Sequence, residues 1–265
     1  MTIPEHQVAP TLDTEVVDRY LARIEHAPVD EPTTAALTSL QDAHVRTVPF
    51  ENLDIHLGWP LSLDLADLVD KVVDRRRGGF CYELNGLFCA LLASLGYDAW
   101  LVEARVRNAD GSLGPRYDHA RILVAAGDGP LLVDVGTGVS PRGPIRLDDD
   151  PQRVGHTWFR VRAVDGRYDS DAYVDDAWAE GWSFEPTARA LDEFLPRCRY
   201  HERSPDSHFT HKPICTLVTS DGHVTLADRE LITTDAHGRH EETVEDPLAV
   251  LAERFGVAVP RWPGS

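Results

Sequence analysis

The spacing of apolar residues changes from helical to strand-like at Gly96, and this change limits the folds that the chain can adopt. Before Gly96, apolar residues recur at helical spacing in four segments: 14–27, 33–46, 62–76 and 84–95. After it, segments typical of strands follow: 99–107, 119–127, 130–136, 158–164 and 167–174. A run of helices followed by a run of strands predicts an α+β protein.

The last third of the chain returns to a mixed pattern. Segments 214–220 and 223–228 flank a predicted turn at Asp221-Gly222. Segment 187–201 predicts a short helix that is broken near Pro196, and 246–256 predicts a capped helix with a proline in its first turn. The whole sequence therefore predicts about three parts.

Charge and cysteine content exclude several classes of protein. The 265 residues carry a formal net charge of −18, which argues against nucleic acid or an anionic membrane surface as a partner. The four cysteines are too few and too scattered for a disulfide scaffold, so we expect free thiols and a cytoplasmic protein. We expect no signal peptide, and no segment approaches the roughly 18 consecutive apolar residues of a membrane span.

Cys81 occupies the position in this chain that most favours an activated thiol. It follows Gly78-Gly79 and opens a predicted helix. A helix N-terminus carries partial positive charge and free N–H groups, which stabilise a thiolate and suit an oxyanion. The alternative is a buried structural cysteine, which is the role that we expect for Cys89 near the middle of the same helix.

A cysteine nucleophile needs a base and a group that orients the base. His119 begins one predicted strand, and Asp134 lies in another that is otherwise apolar, where a carboxylate is costly unless it is paired. If Asp128-Gly129 is a two-residue turn, Asp134 faces Leu123, and His119 lies on the same face but about 13 Å away along the strand. A bulge, a strong twist or a different register is then needed to bring the two side chains together.

Five segments resemble the signature segments of the arylamine N-acetyltransferases. In chain order they are "VPFENLDIHLG" (48–58), "RGGFCYELNGLF" (77–88), "DHARILV" (118–124), "LLVDVGTG" (131–138) and "RYHERSPDSHF" (199–209). The similarity covers most of the chain in the family's order, and the segment around Cys81 is highly specific. The sequence is therefore identified as a member of this family.

The resemblance implies an architecture and a reaction. The implied parts are a helical bundle with the cysteine over 1–97, a β-barrel over 98–200 and an α/β lid over 201–265. The resemblance also implies a papain-like triad of Cys81, His119 and Asp134. The implied reaction is ping-pong transfer of acetyl from acetyl-CoA, through a cysteine thioester, to an arylamine, arylhydrazine or related amine. The partners are small molecules, and no metal or tightly bound cofactor is implied.

One departure from the family concerns the acceptor pocket. Thr137 follows "DVG", where the family often has a phenylalanine that lines the pocket, and we expect Phe50 to provide an alternative wall. Within the family, amide synthases that close macrolactams in ansamycin-type polyketide biosynthesis use the same triad, and this is the alternative function. A non-catalytic or hydrolytic papain-like relative is a third possibility.

Two further predictions concern the surroundings of the triad. The glycines Gly136 and Gly138 offer backbone N–H groups that suit the pyrophosphate of CoA. Arg77 is predicted to pair with Glu51 or Asp54 and to fix the loop beneath the cysteine.

The segment 198–211 contains a set of metal-ligating residue types: Cys198, His201, His208 and His211. Zinc binds such side chains, but this spacing matches no common zinc motif. The resemblance assigns the segment to the connection between barrel and lid. We therefore predict no metal site.

Overall fold

The computed structural model of this protein describes residues 9–108, 110–127, 129–174 and 176–263. Its α-helices are α1 (Thr14–Arg23), α2 (Thr34–Thr47), α3 (Leu53–Leu57), α4 (Leu65–Leu68), α5 (Cys81–Ser94), α6 (Leu195–Arg203) and α7 (Pro247–Phe255). A π-helical segment continues α4 over Val69–Asp74, and 3₁₀ turns cover Leu191–Phe194 and His208–Thr210. The strands are β1 (Phe50–Glu51), β2 (Ala99–Val106), β3 (His119–Val124), β4 (Leu131–Val133), β5 (Ile145–Arg146), β6 (Gln152–Val154), β7 (Thr157–Val164), β8 (Arg167–Val174), β9 (Ala177–Phe184), β10 (Ile214–Val218), β11 (His223–Ala227), β12 (Glu230–Asp235) and β13 (Gly238–Thr243). The architecture is α+β, as the sequence predicts.

Helix α5 lies in the largest hydrophobic core of the described residues. Every residue from Cys81 to Leu92 is buried, and the helix contacts α1, α4, β2 and β3. Gly96 follows its C-terminus with a φ of +87°, the left-handed conformation in which a glycine commonly ends a helix. Because α5 is packed between helices and sheet, its first turn is held in a fixed place beside the strands.

The segment 62–76 does not form the single long helix that its apolar spacing predicts. Asp64 caps the helix by accepting a hydrogen bond from the Ala66 N–H at 2.9 Å, so α4 begins only at Leu65. The chain then continues as the π-helical segment Val69–Asp74. Its wider turns accompany a buried lysine, Lys71, whose ammonium group lies among carboxylates near α5.

An antiparallel eight-stranded sheet curls into a nearly closed barrel. The strand order is β5-β4-β3-β2-β9-β8-β7-β6. Its two ends meet where the Gln152 side chain on β6 bonds the N–H and the C=O of Arg146 on β5, at 2.7 and 2.9 Å. The barrel has an apolar core of its own, which includes Trp100 and Leu123. β2 is central to the site because it pairs with β3 on one side and β9 on the other.

A second sheet covers the C-terminal part in the order β1-β10-β11-β12-β13, and α7 packs on β10 and β11. Strand β1 comes from the first part of the chain and pairs Phe50 with Thr216. Helix α6 runs across position 200. The division into 1–97, 98–200 and 201–265 stays a prediction.

Several local predictions differ from the structure. Pro196 does not break a helix: it lies in the first turn of α6, where its missing N–H costs nothing. Six strands were not predicted: β1, β5, β6, β9, β12 and β13. The hairpin at Asp165-Gly166 is confirmed, and both residues have positive φ, as a tight hairpin turn requires. Among the described residues, no helix is long and apolar enough to cross a membrane.

Candidate active site

Cys81 is the first residue of α5, and a close approach of two backbone segments places it there. A Cβ at Gly78 would lie 2.1 Å from the Pro49 carbonyl oxygen, so only glycine fits against this neighbour. The Phe80 N–H then donates to the carboxylate of Glu83 at 2.9 Å, which satisfies one free donor of the helix N-terminus. The glycine lead-in therefore fixes where the helix begins.

The Cys81 thiol is buried, with 3% of the residue exposed. Burial raises its pKa above the ordinary value, and the Cys198 thiol and the Asp134 carboxylate raise it further. The backbone amides of Tyr82 and Ala120 act in the opposite direction. The helix N-terminus alone therefore does not lower the pKa of Cys81, contrary to what its position predicts, because burial outweighs it. A thiolate here requires a neighbouring base that takes the proton.

His119 and Asp134 meet because the strand register differs from that of a two-residue hairpin. β3 and β4 pair Leu123 with Leu132, not with Asp134. The same register places Asp134 opposite Arg121, two residues closer to His119, and the Asp134 Oδ2 lies 2.7 Å from the His119 Nε2. Of the three alternatives, a bulge, a strong twist or a different register, the structure has the different register. Asp128 of the presumed turn lies outside the described residues.

Asp134 is buried, and donors from several elements surround its carboxylate. Oδ2 accepts from His119 Nε2 and from Arg121 Nε at 3.0 Å. Oδ1 accepts from Asn85 Nδ2 and from the Gly136 N–H, both at 3.0 Å. Burial opposes the ionisation of Asp134, but His119, Arg121 and Asn85 together hold its pKa below the ordinary value. Because a carboxylate only accepts hydrogen bonds, the Nε2 of His119 carries a proton.

Asn85 connects the cysteine helix to the barrel, and it was not among the predicted site residues. Its Nδ2 donates to the Ala120 carbonyl at 2.7 Å as well as to Asp134, and its Oδ1 accepts from the Val135 N–H at 3.0 Å. It lies one turn after Cys81 on the same helix face. A polar amide on this apolar, buried helix was the signal, because such a group must find partners.

Two further residues of the site, Arg121 and Trp182, were also missed. Arg121 is an arginine within an apolar strand, the same kind of signal that singled out Asp134. The Trp182 ring stacks on the His119 ring, with centroids 4.4 Å apart and planes at 28°. Trp182 gave no signal, because its strand β9 was not predicted.

The loop after β4 packs directly on the cysteine. A Cβ at Gly136 would lie 2.8 Å from Cys81 Cα and 2.4 Å from Asn85 Nδ2. The Gly136 N–H already donates to Asp134. This donor is therefore engaged within the site, and the predicted role of Gly136 in binding the pyrophosphate of CoA stays a prediction. Gly138 packs against Thr216, and its predicted role in donor binding stays a prediction.

Thr137 and Phe50 lie near this loop, each with defined partners. Thr137 is half-buried, and its Oγ1 lies 3.0 Å from Ser140 Oγ. Phe50 is also half-buried, and its ring lies 6.2 Å from that of Phe209. Phe209 in turn contacts Phe80, the residue before the cysteine, at 5.2 Å. These aromatic contacts connect Phe50 to the first turn of α5.

A buried ionic network supports the loop that leads into α5. Arg77 pairs with both predicted partners, Glu51 and Asp54, at 2.7 Å each. Lys71 bridges Asp54 and Glu83 at 2.7 and 2.8 Å. Removing one member would leave an uncompensated buried charge. The predicted pairing of Arg77 is confirmed.

The geometry can be compared with known proteins. A profile of the family described as "N-acetyltransferase" matches residues 33–262. The chain is 36% identical over 251 residues to an arylamine N-acetyltransferase of Mycobacterium tuberculosis, covering 91% of this chain and 88% of that protein. The chain belongs to the arylamine N-acetyltransferase family.

Solved structures of this family have the same fold. The arylamine N-acetyltransferase of Mycobacterium marinum, in complex with CoA, matches with a TM-score of 0.84 and 31% identity, covering 91% of this chain and 92% of that one. The enzyme of Salmonella typhimurium matches with a TM-score of 0.88 and 28% identity, covering 94% of each chain. These relatives are acyltransferases, and the arylamine N-acetyltransferase family is accordingly a family of enzymes.

The histidines of segment 198–211 each contact a different partner. His201 Nδ1 lies 2.9 Å from Ser207 Oγ, and His211 Nε2 lies 2.9 Å from the Pro205 carbonyl oxygen. The ring of His208 packs on Phe209. Among the described residues, no group of three or more His, Cys, Asp or Glu side chains is arranged to hold a metal ion.

Proposed function

We propose that this member of the arylamine N-acetyltransferase family transfers acetyl from acetyl-CoA to a small arylamine, arylhydrazine or related amine, in a ping-pong reaction through Cys81. The observation that carries the proposal is the buried contact of 2.7 Å between His119 and Asp134, next to a cysteine at a helix N-terminus. The Mycobacterium marinum relative in complex with CoA supports CoA as the donor group. In this account Cys81, His119 and Asp134 form a papain-like triad.

The first step is proton transfer from Cys81 to His119. Nε2 of His119 is occupied by Asp134, which leaves Nδ1 to accept the thiol proton. The ionised Asp134 then faces an imidazolium and stabilises it, as the orienting acid of a triad does. The raised pKa of the buried thiol is compatible with this route, because the proton moves to a side chain and not to water.

The thiolate next attacks the thioester carbonyl of acetyl-CoA, forming a tetrahedral intermediate. The backbone N–H groups of Tyr82 and Ala120, which favour negative charge at Cys81, are in place to stabilise this step. The carbon–sulfur bond to CoA breaks, and CoA leaves as a thiol with the proton from His119. Acetyl-Cys81 remains.

In the second half-reaction an amine attacks acetyl-Cys81. His119 accepts the amine proton, the new carbon–nitrogen bond forms, and Cys81 leaves as a thiolate that His119 reprotonates. Phe50 and Thr137 line the acceptor side in this proposal, and the small Thr137 gives more room than a phenylalanine. The relatives described above are named arylamine N-acetyltransferases, which favours acetyl transfer over macrolactam closure.

Initial-velocity kinetics test this function. Acetyl-CoA and 4-methoxyaniline are varied against each other, and double-reciprocal plots should give parallel lines, because CoA leaves before the amine reacts. Intersecting lines would indicate a ternary complex and would contradict the ping-pong proposal. The division into bundle, barrel and lid and the cytoplasmic location remain part of the same proposal.

A further inference from the structure

Two groups hold the imidazole of His119 from different directions. Asp134 binds its edge, through Nε2 at 2.7 Å. Trp182 covers one of its faces, with ring centroids 4.4 Å apart and an angle of 28° between the planes. A hydrogen bond fixes one edge but leaves the ring free to tilt, whereas a stacked indole opposes that tilt.

A β-bulge aims Trp182 at this position. The pairing of β8 with β9 shifts between Ser170 and Asp171, so that Ser170 faces Trp182 and Gly181 is the extra residue. A Cβ at Gly181 would lie 2.4 Å from the Ser170 carbonyl oxygen, so the close approach requires glycine. Bulges of this kind redirect a side chain, and they are common next to active sites.

Arg121 connects the two groups that hold His119. Its Nε donates to Asp134 Oδ2 at 3.0 Å, and its Nη1 donates to Ser170 Oγ at 2.7 Å. Ser170 Oγ in turn donates to the Trp182 carbonyl at 3.2 Å. The contacts form a closed ring from His119 through Asp134, Arg121, Ser170 and Trp182 back to His119. Arg121 therefore links Asp134, which binds the edge of the imidazole, to the strand that carries Trp182, which covers its face.

The charged groups near His119 have partners of their own, and the described contact on the stacked face of the imidazole is the Trp182 indole. Cys81 on α5 lies close to the backbone of Ala120, the residue after His119. Asp134 approaches from the loop after β4, and Arg121 lies on the same strand as His119. Neighbouring acids are bound elsewhere: Asp118 by Arg197 and His201, Glu103 by Arg116, and both Asp169 and Asp171 by Arg107.

The geometry points to Trp182 as a positioning residue for His119 that stabilises its protonated form. This inference rests on the proposed function, in which His119 takes the proton of Cys81 and becomes an imidazolium. A cation over the face of an indole is attracted by the ring quadrupole, more strongly than a neutral ring is. Trp182 therefore favours the thiolate–imidazolium pair and widens the pH range in which Cys81 is a nucleophile.

The pH dependence of Cys81 alkylation by iodoacetamide tests the inference in the full-length protein. In Trp182→Leu the midpoint of the rise in rate should move to higher pH. At about pH 6, the rate should fall about three- to thirty-fold, the range that a cation–π contact supports. Trp182→Phe keeps a weaker aromatic face and should have an intermediate midpoint. Trp178→Leu is the matched control: Trp178 lies on the same strand but packs on Arg160 and Tyr173, and its curve should superimpose on that of the wild type.

Two outcomes would overturn the inference. One is a Trp182→Leu protein that folds like the wild type, by circular dichroism and melting temperature, and keeps the wild-type midpoint. If Trp182→Leu does not fold, the second outcome is a Trp182→Phe protein whose alkylation midpoint equals that of the wild type. The proposed function is checked separately by acetylation of the wild-type protein with acetyl-CoA. If the wild-type protein is not acetylated, the proposed function is contradicted. If the wild-type protein is acetylated but the alkylation midpoint of the Trp182 variants is unchanged, only the role of Trp182 is contradicted.

Discussion

Asp134 is a buried carboxylate whose charge is balanced by His119, Arg121, Asn85 and the Gly136 N–H. Such a group is tolerated only because every partner is supplied by the fold. Asp118, which precedes His119 in the sequence, is bound differently: its carboxylate accepts a hydrogen bond from Arg197 Nε at 2.8 Å. Proximity in sequence therefore does not identify the acid that orients His119.

Asp134→Asn should remove most activity, because an amide cannot stabilise the imidazolium and favours the wrong tautomer. In a comparable triad the same change costs about 10⁴-fold in kcat, and we expect a loss of about 10³- to 10⁴-fold here. Asp118→Asn is the matched control and should stay within about threefold of the wild type. Steady-state acetyl transfer measures both, with circular dichroism as the test of folding. Equal losses in the two variants would show that Asp118 shares the role.

Thr137→Phe should improve small arylamines as acceptors without changing the acetylation of Cys81. A phenylalanine would add apolar surface to the acceptor side, and complete burial of such a ring is worth about 1.5–3 kcal/mol, so partial burial should raise kcat/KM about tenfold. Thr137→Val is the control, because it removes the hydroxyl bonded to Ser140 but adds no ring. Slower formation of acetyl-Cys81 in Thr137→Phe would instead place residue 137 on the donor path.

At the scale of elements, the site depends on close contact between the first turn of α5 and the loop after β4. Gly136→Ala should disturb that contact, because its Cβ would lie 2.8 Å from Cys81 Cα. Overpacking of this kind costs about 1–3 kcal/mol, and acetylation of Cys81 should slow as well. Gly127→Ala is the control, since a Cβ there meets nothing within 4 Å. Urea unfolding compares the free energies; equal stability of the two variants would contradict the close contact.

The sequence predicts the elements better than it predicts their pairing. Most helices and the strands β2, β3, β4, β7 and β8 follow from apolar spacing, because each buries a face of its own. The strand β9, "AWAEGWSF", lacks β-branched residues and exists because β2 and β8 pair with it. The π-helical segment depends on the buried charges around Lys71, which apolar spacing does not reveal.

Strand pairing, which local patterns do not specify, also limited how much of the site could be predicted. The family motifs predicted Cys81, His119 and Asp134 as the site, but the assumption of a two-residue turn misplaced the register by two residues, because β3 and β4 pair Leu123 with Leu132. Arg121 and Trp182 come together with His119 only when three strands are correctly paired. Such contacts are tertiary, and no local signal in one segment specifies its partner.

At the scale of the whole molecule, the proposed function requires an acidic protein to bind an anionic donor. The net charge of −18 repels CoA at long range. Raising the ionic strength from about 0.01 M to about 0.15 M shortens the screening length from about 30 Å to about 8 Å. We therefore expect kcat/KM for acetyl-CoA to rise by about twofold or more, while that for a neutral amine stays constant. A fall for acetyl-CoA would mean that local cationic groups dominate its capture.

The central claim is that Cys81 alone carries the acetyl group. Intact-protein mass spectrometry after mixing with acetyl-CoA, in the absence of any amine, tests it most directly. The wild-type protein should gain the mass of one acetyl group, which peptide mapping places on Cys81 and which an added arylamine removes. Cys81→Ala should gain nothing, whereas Cys89→Ala, at the buried middle of the same helix, should react like the wild type. A wild-type protein that stays unmodified, or an acetyl group that persists in Cys81→Ala, would contradict the account.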